Sequence, residues 1–478
     1  MGLKALAGAC ACALLANAAC AKPGARNPAG EPPRIDAYLT TGDRTRLLSR
    51  EPGVHFGDSS QPARATIDVD PRVAYQEIVG FGAALTDASA WLIQYRLSPS
   101  ARDALLRELF GREPGIGFSF VRIDMGASDF SLSHYSYHDV ATGASDPALA
   151  SFSVAADSAT IAILKHARTI NPQLRLMASP WSAPAWMKTT GSMIRGTLRP
   201  DAYAPFARYF EKFIDAYAAL GIPIYAISVQ NEPHHEPDDY PGMRLDPAQR
   251  ARFIGEHLGP LFERRGFSTR ILEWDHNWDE PGSPLAVLAD SVARRYVAGV
   301  AWHCYAGDVS AQSVVHLAYP AKEVYFTECS GGEWAPSFAD NLVWTVRHLI
   351  IGATRHWARG VLMWNIALDE NHGPHTGGCG NCRGVVTIRS SDGTVARNEE
   401  YYAFAHASRF VRPGARRVAS TSGVEGIESV AFQNADDDSL VLIALNTNAQ
   451  AKPFAVRSAG RAFTYTLPPS AVVTFRWR

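Results

Sequence analysis

The sequence has no excess of positive charge. It holds 46 Lys and Arg against 47 Asp and Glu among 478 residues, a formal net charge of −1. A nucleic-acid partner usually requires a basic surface, so this balance argues against one. Hydrophobic residues make up 46%, with 11 Trp, 21 Phe and 17 Tyr. The chain can therefore bury a large core in one large domain plus a smaller one, and still have aromatic residues for a cleft.

Cysteine is scarce. Of the 7 cysteines, three lie within residues 1–21, and the others are Cys304, Cys329, Cys379 and Cys382. Four are too few for a disulfide-dense scaffold, and a zinc site lacks the second closely spaced pair that it needs. We expect Cys379 and Cys382 to form a short disulfide loop, with free thiols as the alternative.

The first 21 residues form an apolar stretch with one early Lys4 and small residues at its end. This pattern predicts a secretory signal peptide that is too short to anchor the protein in a membrane. Residues 22–33 are rich in Pro, Gly and Ala and are predicted to be a linker. We therefore expect a secreted or periplasmic protein with no transmembrane segment after the signal, or alternatively a lipoprotein attached through Cys20.

Eight short apolar runs alternate with helix-like segments through the middle of the chain. The runs are Gln76–Gly82, Phe118–Met125, Leu174–Pro180, Ile224–Gln230, Thr269–Trp274, Val297–Cys304, Glu323–Phe326 and Gly360–Trp364. Strands that are apolar throughout, separated by helices, indicate a parallel sheet covered on both faces. Eight of them predict an α/β fold with a closed (β/α)8 TIM barrel at residues 71–408, and an open doubly wound sheet is the alternative.

The segments before and after this region have the alternating apolar and polar pattern of β-strands. Short strands separated by Gly, Asn and Asp turns fill residues 409–478, and residues 34–70 follow a similar pattern. This spacing predicts strands of a β-sandwich. We expect one flanking β-sandwich domain built from both segments.

Polar residues follow the predicted strands at the carboxyl end of the barrel, where the active sites of TIM-barrel enzymes lie. Two of them are Glu232, in the segment VQNEP after the fourth run, and Glu328, in YFTEC after the seventh. Hydrolysis of a glycosidic bond needs two carboxyl groups, one to protonate the leaving oxygen and one to attack or to activate water. The adjacent Asn231 suits a sugar hydroxyl. A surface ion pair or a helix cap is the structural alternative for either glutamate.

Aromatic residues near the same strand ends favour a sugar ligand, because the CH faces of a pyranose pack on aromatic rings. Trp181, Trp364, Tyr240 and Tyr305 are the candidates. Asp87 could bind a hydroxyl or cap the helix that follows it. The histidines lack the spacing of a zinc hydrolase, so we expect neither a metal nor an organic cofactor.

The sequence resembles glycoside hydrolase family 30, the family of the glucosylceramidases, from about Gln76 to the C-terminus. The resemblance rests on the segments QEIVGFGAALTDASA, FVRIDMGASDFS, ASPWSAPAWMK, SVQNEP, WHCY, FTECSGG, WNIALDENHGP and YYAFAHASRFVRPGARRV. It implies a retaining mechanism on a (β/α)8 barrel with a β-sandwich, with Glu232 as acid/base and Glu328 as nucleophile. It also implies a sugar pocket lined by Asp87, Trp181, Asn231, Tyr240, His303, Tyr305, Trp364 and Asn381.

Retention implies that the two carboxyl groups lie about 5–5.5 Å apart, and we expect a raised pKa for Glu232. The loops around His235 and Cys379 depart from the mammalian lysosomal pattern, so the aglycone stays open. We rank a glucosylceramidase-like β-glucosidase acting on a carbohydrate or glycolipid first. The alternatives are an endo-β-1,6-glucanase, a β-xylosidase or a carbohydrate-binding protein without activity. The sequence does not determine the oligomeric state.

Overall fold

A computed structural model describes residues 1–2, 35–57, 65–422, 424 and 426–478. Apart from Met1 and Gly2, the predicted signal peptide (residues 1–21) and the predicted linker (22–33), with Cys20, lie outside the described residues. The first described strands are β1 (Asp36–Thr41), β2 (Ser49–Glu51) and β3 (Thr66–Glu77). They precede the barrel and belong to the second domain.

Eight parallel strands close into a barrel, which confirms the predicted (β/α)8 fold. They are β4 (Gly80–Ala84), β5 (Phe120–Asp124), β6 (Arg175–Ser179), β7 (Ala226–Ser228), β8 (Arg270–Asn277), β9 (Val297–His303), β10 (Glu323–Glu328) and, after the two-residue strand β11 (Gly331–Gly332), β12 (Ala358–Met363). Closure occurs where β12 pairs with β4 in parallel, with Val361 opposite Phe81. That pairing excludes the open sheet.

Helices cover the outside of the barrel. They are α1 (Asp87–Tyr95), α2 (Pro99–Phe110), α3 (Ser158–Ile170), α4 (Tyr203–Ala219), α5 (Pro247–Arg252), α6 (Gly259–Arg265), α7 (Gly282–Ala289), α8 (Ser291–Tyr296), α9 (Ala311–Ala318), α10 (Phe338–Thr345) and α11 (Glu399–Ser408). In α4, Phe206, Phe210 and Phe213 are fully buried along one face, and this 3.6-residue period turns an apolar stripe toward the strands. Within the described residues, no helix is both long and apolar enough to cross a membrane.

Two small sheets hold the loops at the barrel mouth. Strand β11 pairs with β14 (Cys382–Arg383), and β13 (Ala367–Leu368) pairs with β15 (Val386–Ile388), which pairs with β16 (Val395–Arg397). Because β11 follows Glu328 by only two residues, its pairing fixes the chain just beyond that carboxylate.

The second domain joins both ends of the described chain, as the sequence predicts for a β-sandwich. Its later strands are β17 (Arg416–Ser420), β18 (Ile427–Gln433), β19 (Leu440–Asn446), β20 (Lys452–Ser458), β21 (Arg461–Leu467) and β22 (Ala471–Trp477). Strand β1 pairs with β22, and β3 pairs with β17 and β20. Side chains alternate along β19, so that Leu442 packs in the domain's own core while Ile443 packs in the barrel core. The two domains therefore share a buried interface.

Candidate active site

A cavity of about 860 Å³ opens at the carboxyl ends of the barrel strands. Seven of the ten residues predicted from the sequence line it, namely Trp181, Asn231, Glu232, Tyr240, Tyr305, Glu328 and Trp364. They come from distant parts of the sequence and meet because parallel strands bring their carboxyl ends to one side of the barrel.

The two glutamates occupy neighbouring parts of this wall. Glu328 is the last residue of β10. Glu232 follows β7 in a tight turn, and its φ of 46° is unusual for a residue with a side chain. The Glu232 amide donates a hydrogen bond to the Asp275 carbonyl oxygen at 3.0 Å. This turn aims the Glu232 side chain into the cavity instead of along the strand.

His303 lies against both carboxylates. Its Nδ1 is 3.1 Å from Oε1 of Glu232 and 3.9 Å from Oε1 of Glu328. The separation of the two Oε1 atoms cannot exceed the sum of these distances. That bound is compatible with the separation of about 5–5.5 Å typical of retaining glycosidases.

Glu328 is held by two donors. Nη1 of Arg122 donates to its Oε2, and the hydroxyl of Tyr305 donates to its Oε1 at 2.9 Å. Arg122 is fully buried, and its Nη2 also donates to Asn231 at 2.6 Å and to Asp275 at 2.9 Å. Burial opposes the charged form of Arg122, but Asp275 and Glu328 outweigh it and raise its pKa. Glu328 therefore faces a fixed positive charge.

His303 forms a second cationic centre between two carboxylates. Its Nδ1 contacts Glu232, and its Nε2 contacts Oδ1 of Asp275 at 3.1 Å. Burial alone would lower the pKa of His303, but the charge of Glu328 and the hydrogen bonds to Asp275 and Glu232 raise it to about 9. Both ring nitrogens thus act as donors at neutral pH.

The expectation of a raised pKa for Glu232 is wrong for this structure. Burial does favour the protonated form, but His276 and His303 together outweigh burial and lower the pKa of Glu232 below its ordinary value. The nearer histidine, His303, donates the hydrogen bond, and His276 Nδ1 lies 3.6 Å from the same oxygen. The sequence motif identifies the glutamate but not the effect of the two histidines beside it.

Sequence reasoning missed Arg122 and assigned no role to Asp275. Asp275 accepts hydrogen bonds from Ser179 at 2.8 Å and Thr327 at 2.6 Å in addition to the Arg122 and His303 contacts. Burial would raise the pKa of Asp275, but Arg122 and its hydrogen bonds lower it. The sequence signal that could have identified Arg122 is its position inside the apolar run FVRID. An arginine buried there needs carboxylate partners.

Trp181 and Trp364 form an apolar part of the cavity wall. Their rings stack with centroids 5.2 Å apart at 23°, and each residue is only 3% exposed. Tyr240 lies nearby in the wall, with its hydroxyl 3.0 Å from Nε2 of His235. These aromatic faces suit the CH face of a sugar ring.

Acidic residues add hydrogen-bonding groups. Asp129 lines the cavity, and burial together with the charge of Glu328 raises its pKa well above the ordinary range. Asp87 is the first residue of α1 and accepts a hydrogen bond from the Leu132 amide at 3.2 Å. Thr86, not Asp87, caps that helix by accepting from the Ser89 amide.

Three predicted pocket residues, Asp87, Asn381 and His303, are not among the described residues that line the cavity, although His303 contacts both glutamates. Asn381 is exposed, and its carbonyl oxygen accepts a hydrogen bond from the Glu333 amide at 3.0 Å. The sugar-binding roles proposed for these three residues stay predictions.

Two disulfides border the site. Cys379 is bonded to Cys382, as the sequence predicts, and Cys304 is bonded to Cys329. The second bond was not predicted, because its cysteines are 25 residues apart. They meet because each immediately follows one of the adjacent parallel strands β9 and β10.

Glu232, His276 and His303 offer three ligand atoms within 4.8 Å of one another. The hydrogen bond from His303 and the 3.6 Å contact of His276 Nδ1 account for this cluster as a network around the Glu232 carboxylate. The expectation that the reaction needs no metal stays a prediction.

Comparison with protein families matches both domains. A model described as the glycosyl hydrolase family 30 TIM-barrel domain matches residues 78–411, and one described as the family 30 β-sandwich domain matches residues 414–475. The matched ranges follow the barrel and the C-terminal strands of the structure.

Characterised relatives cover most of the chain. An endo-1,6-β-D-glucanase of Neurospora crassa is 35% identical over 437 residues, covering 86% of this chain and 88% of the relative. The lysosomal acid glucosylceramidase of Mus musculus is 28% identical over 440 residues, covering 86% and 83%.

Two solved structures superpose on most of this chain. The endo-β1,6-glucanase BT3312 superposes with a TM-score of 0.86 at 35% identity, covering 93% of this chain and 99% of its own. SrfJ from Salmonella typhimurium superposes with a TM-score of 0.87 at 29% identity, covering 93% and 100%. With both domains matched and the paired glutamates at the barrel mouth, this chain belongs to glycosyl hydrolase family 30 and is a glycoside hydrolase.

Proposed function

We propose that the protein is a secreted, retaining endo-β-1,6-glucanase. The observation that carries the proposal is the placement of Glu232 and Glu328 on either side of His303, with Arg122 and Tyr305 holding Glu328. One carboxylate is held by a guanidinium and a phenol hydroxyl, and the other lies across the His303 ring from it. This is the division of roles that a double displacement requires.

In the first step, a Glu328 oxygen attacks the anomeric carbon of the bound glucose. The bond from that carbon to the bridging oxygen breaks, and Glu232 gives its proton to the departing oxygen. The products are a glucosyl ester of Glu328 and a free sugar hydroxyl. Arg122 lies opposite the charge that Glu328 gives up, so it holds the nucleophile before attack and stabilises it as a leaving group afterwards.

In the second step, Glu232 removes a proton from water, and the water oxygen attacks the same carbon. The ester bond breaks, Glu328 regains its charge, and the product keeps the β configuration. The lowered pKa of Glu232 in the free enzyme favours the carboxylate form, which is the form that can accept a proton in this step. The protonated form needed for the first step becomes more populated toward acid pH.

The relatives support β-1,6-glucan over glucosylceramide. Three relatives named endo-1,6-β-D-glucanase are 33–35% identical to this chain, whereas those named glucosylceramidase are 27–30% identical. The endo-β-1,6-glucanase, one of the alternatives that the sequence left open, is therefore better supported than the glucosylceramidase. Both disulfides favour an oxidising compartment, which supports export by the predicted signal peptide.

The deciding experiment incubates the purified enzyme separately with linear β-1,6-glucan, glucosylceramide and β-xylan. We expect oligosaccharides from the β-1,6-glucan, and proton NMR should show the β anomer of the new reducing end first. Release of glucose from glucosylceramide with an intact glucan would instead establish a glucosylceramidase. First appearance of the α anomer would disprove retention. The Glu328→Gln variant serves as the inactive control.

A further inference from the structure

A second cavity of about 380 Å³ adjoins the catalytic one. Tyr305 and Trp334 line both cavities. The far wall includes Trp344 of α10 and the Cys304–Cys329 disulfide. The second cavity therefore lies next to the part of the catalytic cavity that contains Tyr305 and Glu328.

Its aromatic residues differ in exposure from those of the inner wall. Tyr305, Trp334 and Trp344 are 46%, 54% and 39% exposed, whereas Trp181 and Trp364 are 3% exposed. Large aromatic surface in water is unfavourable and often marks a binding site. Here the three exposed residues line one continuous pair of cavities.

The outer tryptophans are held in place. Trp334 lies on Gly332, where an added Cβ would come within 2.0 Å of the indole ring. Gly332 is itself paired with Cys382 in the β11–β14 ladder. The Trp344 ring packs against His348 with centroids 4.9 Å apart. Rings fixed in this way lose little conformational freedom when a ligand binds.

We propose that this second cavity binds glucose units of a β-1,6-glucan adjacent to the unit held by Trp181 and Trp364, with Trp334 and Trp344 as stacking surfaces. The inference rests on the proposed function. A β-1,6 linkage has an extra rotatable bond, so the chain can turn from one cavity into the other. The site would favour polymer over short glucosides.

An alkyl chain is the competing occupant, since much of the wall is apolar. Asp340 also lines the cavity, and Ser330 and Asn341 supply further polar groups. Packing an alkyl chain against Asp340 would remove water from a carboxylate without replacing its hydrogen bonds. Sugar hydroxyls can replace them, which favours a glucan.

The test compares Trp344→Ala, Trp344→Phe and a matched control, Tyr95→Ala. Tyr95 is an exposed aromatic residue, 58% exposed, at the end of α1 and away from both cavity walls. For each protein, kcat/KM is measured on β-1,6-glucan, on p-nitrophenyl β-glucoside and on octyl β-glucoside. The ratio of the glucan value to the p-nitrophenyl value reports the second cavity separately from the chemistry and from folding.

We expect Trp344→Ala to lower that ratio about tenfold, the loss of one stacking contact. Trp344→Phe should stay within about threefold of the wild type and Tyr95→Ala within about twofold, because the first keeps an aromatic face and the second lies elsewhere. An unchanged ratio for Trp344→Ala overturns the proposal. A larger loss on the octyl glucoside than on the glucan overturns it in favour of an alkyl-binding groove.

Calorimetry on the inactive Glu328→Gln protein separates this proposal from the proposed function. Binding of a β-1,6-linked glucohexaose should weaken about tenfold when Trp344→Ala is added. If the Glu328→Gln parent binds no hexaose and the wild type cleaves no glucan, the proposed function itself fails. If the parent binds and the double variant binds equally well, only the second cavity's role is disproved.

Discussion

His303 donates a hydrogen bond from Nδ1 to Oε1 of Glu232 at 3.1 Å. The same ring contacts Asp275 through Nε2, so a buried cation connects the acid/base candidate to a buried carboxylate. The protonation state of Glu232 is therefore governed by a histidine from a different strand, and changes at His303 should be visible in the pH dependence of the reaction.

Replacing His303 with Gln should move the alkaline limb of the kcat/KM profile to higher pH. The substitution removes the nearer positive charge, and burial, which raises the pKa of Glu232, then meets less opposition. The protonated acid would persist to higher pH. Hydrolysis of p-nitrophenyl β-glucoside from pH 2.5 to 9 measures this, and a limb that stays in place or moves toward acid contradicts it.

The same residue should make folding stability depend on pH. The pKa of His303 is about 9 in the folded protein against 6.5 for an ordinary histidine. The folded state binds the proton more tightly, so the stabilisation is complete below pH 6.5 and is lost as the pH rises through 9. The full effect is on the order of 3 kcal/mol. Denaturant unfolding at pH 6 and pH 9.5 should show this difference in the wild type and a smaller one in His303→Gln.

Glu328→Gln should lower kcat at least about 1,000-fold, because an amide cannot form the glycosyl ester. The fold should persist, since the amide oxygen can still accept from Arg122. Glu333→Gln is the matched control, five residues further along and 67% exposed, and its kcat should stay within about twofold of the wild type. Retention of more than a few per cent of activity by Glu328→Gln would remove the residue from the nucleophile role.

Glu232→Ala should slow substrates according to their leaving group. A β-1,6-linked glucose departs only when its oxygen is protonated, whereas a 2,4-dinitrophenolate departs without protonation. The loss in kcat/KM should therefore be at least about 100-fold larger for the glucan than for the dinitrophenyl glucoside. Azide should restore turnover of the dinitrophenyl glucoside and give the β-glucosyl azide. Equal losses on both substrates would mean that Glu232 does not protonate the leaving group.

Arg122→Lys should lower kcat/KM by about 100-fold, although the charge is kept. A single ammonium cannot reproduce the fork that contacts Glu328, Asn231 and Asp275 together. The conservative change Arg252→Lys, at an exposed pair with Glu256, is the control and should have no measurable effect. Near wild-type activity in Arg122→Lys would show that charge alone positions Glu328.

Local sequence patterns were sufficient to predict the barrel strands. Each predicted run overlaps the observed strand, because strands buried on both faces must be apolar along their length. Ends differ by up to a few residues, and the largest shift is at the first run, predicted at Gln76–Gly82 and observed at Gly80–Ala84. Residues 76–77 instead extend β3 of the second domain, a long-range pairing that no local pattern reveals.

The sequence by itself determined the fold class and the two glutamates, because periodicity and short motifs are local properties of the chain. Only the tertiary structure decided what surrounds those glutamates. Arg122, Asp275 and His303 lie on the separate strands β5, β8 and β9, and the Cys304–Cys329 bond joins the ends of β9 and β10. Closing the barrel brings these groups within hydrogen-bonding distance in a buried site, where charges act strongly. The lowered pKa of Glu232 follows from that closure.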